Sequence, residues 1–293
     1  MPFSSDTFPS IAIIGSGSFG TALAFLLGDR CHRITLIGRD PHVAEEINSK
    51  HRNPRYLSEA PLHHHITAST RLADAASHSL IIFSVPTSAT RSTAQELAAI
   101  GTTAALVSSA KGIERNTGDR MSQILREVFP RNPLAVISGP NHAEEIAHRL
   151  ATCAVIGSHN AELASALQQL FTLPHFRTYT STDIAGIELG GAIKNIYAIA
   201  AGIAAGLGLG DNAIAALVTR ALSEMTRLGT ALGGQKETFT GLSGIGDLIA
   251  TCFSHHSRNH RVGLALGQGK ALDEAVASIG MIAEGVPNTL SIY

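Results

Sequence analysis

The chain is most tightly constrained by an alternation through residues 1–181, in which short apolar runs are followed by longer stretches with helical spacing. The runs are Ile11–Ile14, Ile34–Ile37, Leu80–Val85, Ala105–Ser109, Leu134–Ser138, Cys153–Ile156 and Phe176–Tyr179. They are continuous rather than alternating, LIIFSV at Leu80–Val85 most plainly, which suits strands covered on both faces. Between them Thr21–Leu27, Ser88–Ala99, Gly118–Phe129 and Ala161–Phe171 read as helices, the third stopped by Pro130. This repeat predicts an α/β fold with a doubly wound parallel sheet. From Thr182 onward no β-rich run follows. Ile214, Leu217, Val218, Ala221, Leu222, Met225 and Leu228 recur at helical spacing behind Asp211 as a candidate N-cap. The expected organisation is therefore an α/β domain over residues 1–181 and an all-helical domain over residues 182–293.

Charge narrows the partners. Charged residues make up only 15% of the chain, against about 25% in ordinary soluble domains, while 44% is hydrophobic, so much of the chain lies inside or at interfaces. Twenty-two basic side chains against 23 acidic ones offer no general attraction for nucleic acid or an anionic membrane. Any phosphate site has to be local. Cys31, Cys153 and Cys252 are odd in number and far apart, so neither a disulfide framework nor a zinc site is indicated, and a cytoplasmic location is expected. Met1–Ser10 has neither the basic nor the apolar region of a signal peptide. Ile196–Gly210 is uncharged but shorter than the about 18 to 20 residues that span a bilayer, and Lys194 and Asp211 bound it closely. Despite its Gly202–Gly206 spacing it is expected to be a buried core helix rather than a membrane insertion.

The strongest local signal in the first part is Gly15-Ser16-Gly17-Ser18-Phe19-Gly20, set between the run IAII and the helix TALAFLL. Gly15 permits a tight turn, Gly17 lets the backbone approach a pyrophosphate, and Gly20 lets helix and strand pack closely. Amides at the helix start would hold the phosphates, which makes the sheet one of Rossmann type. The alternative is a purely structural glycine turn. At the end of the second strand, where NAD sites place an acidic residue, stands Gly38-Arg39. Arg39 favours NADP(H), or use of both NADP(H) and NAD(H); otherwise it stacks on adenine or pairs with Asp40.

Further candidates lie at strand ends and in the helical part. Lys111 closes the strand ALVSSAK, and Ser138-Gly139-Pro140-Asn141-His142 follows another strand, with Gly139 and Pro140 imposing a turn and Asn141 opening a helix. Both fall at the sheet edge where doubly wound folds bind ligands. In Glu188–Asn195, Gly190 and Gly191 lie about one helical turn before Lys194, leaving space for a ligand beside its amine or for a close helix crossing. Gly241–Asp247 is a glycine-rich loop whose Asp247 sits one turn before Thr251, either as a helix cap or as a site residue. Ser257-Arg258-Asn259 opens a helix and combines a cap, exposed amides and a guanidinium fork in one phosphate receptor. His63–His65 and His255–His256 have no carboxylate or cysteine partner at ligand spacing and are expected to be solvated loop histidines, with no metal.

Taken in order, these segments resemble the NAD(P)-dependent glycerol-3-phosphate dehydrogenase family, its bacterial branch above all. The resemblance runs through GSGSFGTALA from Gly15, IGRD from Ile37, NPRYL from Asn53, SAKGIE from Ser109, SGPNHAEEIA from Ser138, GIELGGAIKNIYAIAAG from Gly186, NAIAALVTRALSEM from Asn212, GLSGIGDLIATC from Gly241, SRN from Ser257 and AEG from Ala283. It implies a homodimer that interconverts dihydroxyacetone phosphate and sn-glycerol 3-phosphate for glycerophospholipid synthesis. By the same resemblance Lys194 transfers the proton, with Lys111, Asn195, Asp247 and Thr251 around the reacting centre. Substrate contacts fall to Lys111, Gly139, Asn141, Lys194, Asp247, Ser257, Arg258 and Asn259. Cofactor contacts fall to Gly15, Gly17, Ser18, Phe19, Gly20, Arg39, Lys111, Ala143, Arg258, Ile282 and Glu284. Phe19 stands where the family often has Trp or Tyr.

Family members usually continue for some tens of residues beyond the EG pair, whereas this chain stops at Tyr293. The resemblance therefore implies that the last helices of the substrate domain are missing. Two alternatives follow: a dinucleotide-binding homologue left inactive by that loss, and another two-domain dehydrogenase acting on a ketoacid or 3-hydroxyacid. A free lysine near pKa 10.4 is too basic for proton exchange near neutrality, so burial of Lys194 beside Lys111 is expected to lower it.

Overall fold

The computed structural model describes residues 8–293 and divides into two compact units. One comprises residues up to Ala110 with Ser122–Ile137 and Asn141–Thr182; the other comprises Lys111–Met121, Ser138–Pro140 and Asp183–Tyr293.

The first unit is built on one eight-stranded sheet: β1 (Ile11–Ile14), β2 (Ile34–Ile37), β3 (Ile66–Ser69), β4 (Leu80–Phe83), β5 (Ala105–Ser108), β6 (Leu134–Ser138), β7 (Thr152–Gly157) and β8 (Phe176–Ser181). Its order is β3-β2-β1-β4-β5-β6-β7-β8, and β1 pairs parallel with both β2 and β4. The chain order thus reverses between β1 and β4, the switch point at which doubly wound sheets take ligands. Along β1, Ile11 and Ile13 join one buried apolar cluster while Ala12 and Ile14 join another. Leu80 and Ile82 of β4 separate from Ile81 and Phe83 in the same way. Both faces of the sheet are covered, which is why these strands read as continuous apolar runs. The covering helices are α1 (Ser18–Leu27), α2 (Pro41–Lys50), α3 (Thr87–Ile100), α4 (Met121–Val128), α5 (Ala143–Ala147) and α6 (Ala161–Phe171).

Some local expectations change. β3 has only Ile66 buried, too short a pattern to announce a strand. α2 is also absent from the sequence-based elements; it buries only Val43 and Ile47, but Asp40 caps it and Pro41 starts it. The helix expected to open at Asn141 is the short α5, which starts two residues later behind His142. The third helix begins at Met121 rather than Gly118, because Gly118 has φ +76° and Ile113 bridges Arg120 just before it. The histidines of His63–His65 are packed rather than merely solvated: His63 contacts Asp29 at 3.1 Å, and the His65 ring lies 5.0 Å from His32. His255 and His256 have ring centroids 4.0 Å apart. Among the described residues, no group of three or more His, Cys, Asp or Glu is placed to hold a metal.

The second unit is helical: α7 (Ile184–Gly206), α8 (Gly210–Ala231), α9 (Lys236–Phe239), α10 (Asp247–Phe253), α11 (Arg258–Gly267), α12 (Leu272–Ile279) and α13 (Gly285–Ile292). Asp183 starts α7, accepting from Gly186 N–H, Gln235 N–H and Thr238 Oγ1. Asp211 is not the cap of α8 but lies within its first turn, since Gly208 and Gly210, both at positive φ, begin the helix earlier. Among the described residues α7 alone is long and apolar enough to cross a membrane, and most of it is buried in this unit, with Leu189, Ile193, Ala198 and Ala201 in the core.

The Gly202–Gly206 pair on α7 faces Gly263 and Gly267 on α11. A Cβ at Gly202 would overlap the His260 carbonyl, and one at Gly263 would overlap that of Ile199. The helices therefore touch through main-chain atoms. Gly263→Ala is expected to destabilise the protein by about 1–3 kcal/mol, the usual cost of overpacking. Denaturant unfolding checks this: the midpoint should fall with the slope unchanged, and an unmoved midpoint would show that the seam can open without strain.

Candidate active site

In the first unit the turn after β1 occupies the switch point. Gly15 has φ +118°, and a Cβ there would overlap the Ser84 carbonyl after β4. A Cβ on Gly20 would overlap the Gly15 carbonyl, whereas one on Gly17 would meet nothing within 4 Å. Two glycines are thus demanded by packing and the third keeps open space beside the start of α1. Gly17 gives that helix no side-chain cap and its first turn has no acidic residue, so the end is electrostatically suited to an anion. Phe19 packs partly on the core and Ser18 is buried. Arg39 is exposed after β2; Asp40 caps α2 through His42 N–H and lies 3.9 Å from Arg55, which gives Asp40 another cationic neighbour.

In the second unit one carboxylate holds two ammonium groups. Lys194 Nζ donates to Asp247 Oδ1, and Lys111 Nζ donates to Asp247 Oδ2 at 2.8 Å and to the Gly139 carbonyl at 2.8 Å. Thr251 Oγ1 accepts from Lys194 Nζ at 2.6 Å while its own hydroxyl reaches the Asp247 carbonyl at 2.6 Å. Because that proton is committed to the helix backbone, the Thr251 lone pair is turned to the lysine. Lys194 and Asp247 are buried; Lys111 keeps some exposure. Burial chiefly, with the Lys111 ammonium adding to it and Asp247 opposing it, brings Lys194 down to about 7. Burial would push the Asp247 carboxyl up, but Lys111 and Lys194 outweigh it and hold it below its usual range.

Asparagines tie this cluster to the start of α11. Asn259 Nδ2 donates to Asn195 Oδ1 at 2.9 Å, Asn259 Oδ1 accepts from Gly285 N–H, and Asn195 Nδ2 reaches the Lys111 carbonyl at 3.3 Å. Ser257 caps α11 by accepting from His260 N–H at 3.2 Å. Arg258 is half-buried and has no ion-pair partner among the described residues. A helix start beside such a guanidinium is electrostatically suited to an anion.

Sequence families separate dehydrogenases of this general plan. The N-terminal model of NAD-dependent glycerol-3-phosphate dehydrogenase matches residues 10–164, and its C-terminal model matches residues 183–293. The chain belongs to the NAD-dependent glycerol-3-phosphate dehydrogenase family. It is 43% identical to glycerol-3-phosphate dehydrogenase from Clostridium tetani over 99% of this chain and 84% of that one. It is 50% identical to the enzyme from Azotobacter vinelandii, over 96% and 83% of the respective chains. The crystal structure of glycerol-3-phosphate dehydrogenase from Coxiella burnetii superimposes with a TM-score of 0.94 at 36% identity, covering 98% of this chain and 88% of that one. This glycerol-3-phosphate dehydrogenase is accordingly an oxidoreductase that uses NAD(P)(H) and acts on a small phosphorylated substrate. The ketoacid and 3-hydroxyacid alternative is set aside.

Among the residues expected from the dehydrogenase resemblance, the second unit brings together Lys111, Gly139, Lys194, Asn195, Asp247, Thr251 and Asn259 through hydrogen bonds, with Ser257 and Arg258 adjoining in α11. Ile282, exposed, and Glu284 lie near the start of α13. Gly15, Gly17, Ser18, Phe19, Gly20, Arg39, Asn141 and Ala143 belong to the first unit. One expectation is corrected. The space beside Gly190 and Gly191 is filled by protein: a Cβ on Gly190 would come within 2.5 Å of the Ser243 carbonyl, and one on Gly191 within 2.8 Å of Ser138 Oγ and 3.4 Å of Lys111 Cγ. These glycines admit neighbouring chain, including the Lys111 stem, rather than ligand. Asn53 was missed as a brace of the glycine turn; fully buried, it donates to the Ser16 carbonyl and to Thr21 Oγ1. The signal that could have found it is the NPRYL segment from Asn53. The Arg120–Glu188 pair, 2.5 Å apart and largely buried, fastens the Lys111–Met121 segment to α7 and carried no local signal.

Proposed function

We propose that Lys194 is the proton-transfer residue in the reversible NAD(P)-linked interconversion of dihydroxyacetone phosphate and sn-glycerol 3-phosphate. The observation that carries this reading is the surroundings of its Nζ. Of three positions, Asp247 takes one and Thr251 a second, and the third is left for the proton exchanged with the substrate oxygen at C2. Lys194, protonated, donates there during reduction; neutral, it accepts there during oxidation. Lys111 and Asn195 adjoin the reacting oxygen, while Ser257, Arg258 and Asn259 receive the phosphate. The open side of Gly17 supports pyrophosphate binding by Gly15, Gly17, Ser18, Phe19 and Gly20, with Arg39 toward the adenosine ribose. The dinucleotide, when bound, supplies or takes up the hydride. Family likeness supports a homodimer feeding glycerophospholipid synthesis. The thiols of Cys31, Cys153 and Cys252 suit a reducing cytoplasm.

The test is cofactor oxidation with dihydroxyacetone phosphate, followed across pH in both directions with NADPH and NADH. With Lys194 at about 7, kcat/KM for oxidation of sn-glycerol 3-phosphate should rise through pH 7 and that for reduction should fall there. Tight NADPH binding with no substrate-dependent oxidation would instead favour the inactive, dinucleotide-binding alternative.

A further inference from the structure

Asn288 on α13 is fully buried, and both ends of its amide are engaged. Nδ2 donates to the Lys111 carbonyl at 3.2 Å and to the Ala192 carbonyl of α7 at 3.4 Å, and Oδ1 accepts from Ile113 N–H at 3.3 Å. Every one of these bonds ends on backbone, two of them on the segment that carries Lys111. Asn195 donates to the same Lys111 carbonyl, so that oxygen accepts from two side-chain amides, one on α7 and one on α13. Asn195 belongs to the reacting cluster itself, whereas Asn288 touches none of its charged groups. A carbonyl with both lone pairs occupied fixes the peptide plane, and with it the direction in which the Lys111 stem leaves the backbone. That stem lies against Gly191 and ends on Asp247 and the Gly139 carbonyl.

We propose that Asn288 is a positioning residue of the dehydrogenase reaction, gripping the backbone at Lys111 and Ile113 and so setting how closely the Lys111 ammonium approaches the Asp247–Lys194 pair. This rests on the reading of Lys194 as the proton-transfer residue. The groups that face the Lys194 amine are Asp247, Lys111, Thr251 and the Cys252 thiol, which burial pushes up to about 12 and keeps neutral. Releasing Lys111 removes the one neighbouring cation among the described residues and leaves Asp247 wholly to Lys194. The Lys194 ammonium then keeps its proton to higher pH.

The decisive measurement follows Lys194 itself by NMR of protein labelled with [ε-13C]lysine, where only Lys50, Lys111, Lys194, Lys236 and Lys270 contribute signals. In Asn288→Ala and Asn288→Ser the Lys194 titration midpoint should move upward by about half a pH unit or more. In the same variants kcat/KM should fall by about 10- to 100-fold, the scale of a small misplacement. Ser291→Ala, whose hydroxyl among the described residues bonds only the Pro287 carbonyl, should leave both readouts alone. In a Lys111→Met background the Asn288 substitutions should produce no further shift of the midpoint. A folded Asn288 variant with an unmoved midpoint, or a shift that persists without Lys111, overturns the proposal; so does failure of both variants to fold, which would make Asn288 a purely structural residue. The midpoint needs no turnover. A wild-type protein that binds NADPH but does not oxidise it would therefore sink the assignment of Lys194 without deciding the role of Asn288.

Discussion

Lys194→Met is expected to lower kcat/KM by about 10²- to 10⁴-fold, the contribution of a positioned proton donor and acceptor. The factor should be equal in both directions, because the variant leaves the equilibrium constant of the reaction untouched. The limb near pH 7 should vanish with the amine. NADPH affinity should hold, since the glycine turn proposed to receive the pyrophosphate is built from the first unit's own packing. The fold should hold too. Lys194 has its folded pKa depressed, so its burial costs stability most fully below about pH 7, and the cost is relieved as the pH rises toward 10.5. Methionine removes that cost at similar size. Turnover within a few-fold of wild type would end the assignment of Lys194.

Asp247→Asn should have the second largest effect, for a different reason. The substitution keeps the shape of the side chain but deletes the charge that lies between the Lys111 and Lys194 amines. Asp247 is the main influence keeping the Lys194 ammonium charged, so without it the amine gives up its proton more readily and the midpoint of both pH profiles should move below about 7. At pH 7.5 a loss of about 10²- to 10³-fold in turnover is expected, since both the proton store and the geometry around it are impaired. Leaving a buried cation uncompensated costs about 3–5 kcal/mol, and deprotonation relieves it. The variant's thermal midpoint should accordingly lag wild type most at acid pH and recover as the pH is raised. Asp247→Asn and Asn288→Ala thus shift the Lys194 titration in opposite directions, and finding the same direction for both would break the electrostatic account of the cluster.

What could be read from the residues alone was whatever their local spacing determines. Ile11–Ile14 and Leu80–Phe83 announced covered strands because both of their faces are buried, and Ser257 announced a cap because the amides it serves are its own neighbours. β3 stayed hidden because a four-residue strand with one buried apolar side chain has no period to detect. The meeting of Lys111 and Asp247, 136 positions apart, came only through family resemblance, since no spacing rule spans such a distance. Gly190 and Gly191 were ambiguous for a related reason. A missing side chain shows that something comes close, and only the fold shows that it is Ser243, Ser138 and the stem of Lys111. Asn53, Asn288 and the Arg120–Glu188 pair act on chain segments distant in sequence, which places them beyond any local pattern, as do the bonds of Asp183 to Gln235 and Thr238 beside its local cap on Gly186.

The glycine seam between α7 and α11 fixes the register of the helices. Where helices meet through flexible side chains, one can creep along the other by small rotamer changes. Here main-chain atoms meet directly, and a one-residue screw shift of α11, about 1.5 Å along its axis with about 100° of rotation, would carry Val262 or Leu264 to where Gly263 now clears the Ile199 carbonyl. The axial setting of α11 against α7 is therefore stepped rather than continuous. Lys194 lies upstream of that seam on α7, and Asn259, bonded to Asn195, lies upstream of it on α11. The distance between the Lys194 amine and the proposed phosphate-binding helix end is thus gauged largely by backbone, with the Asn195–Asn259 bond as its side-chain brace.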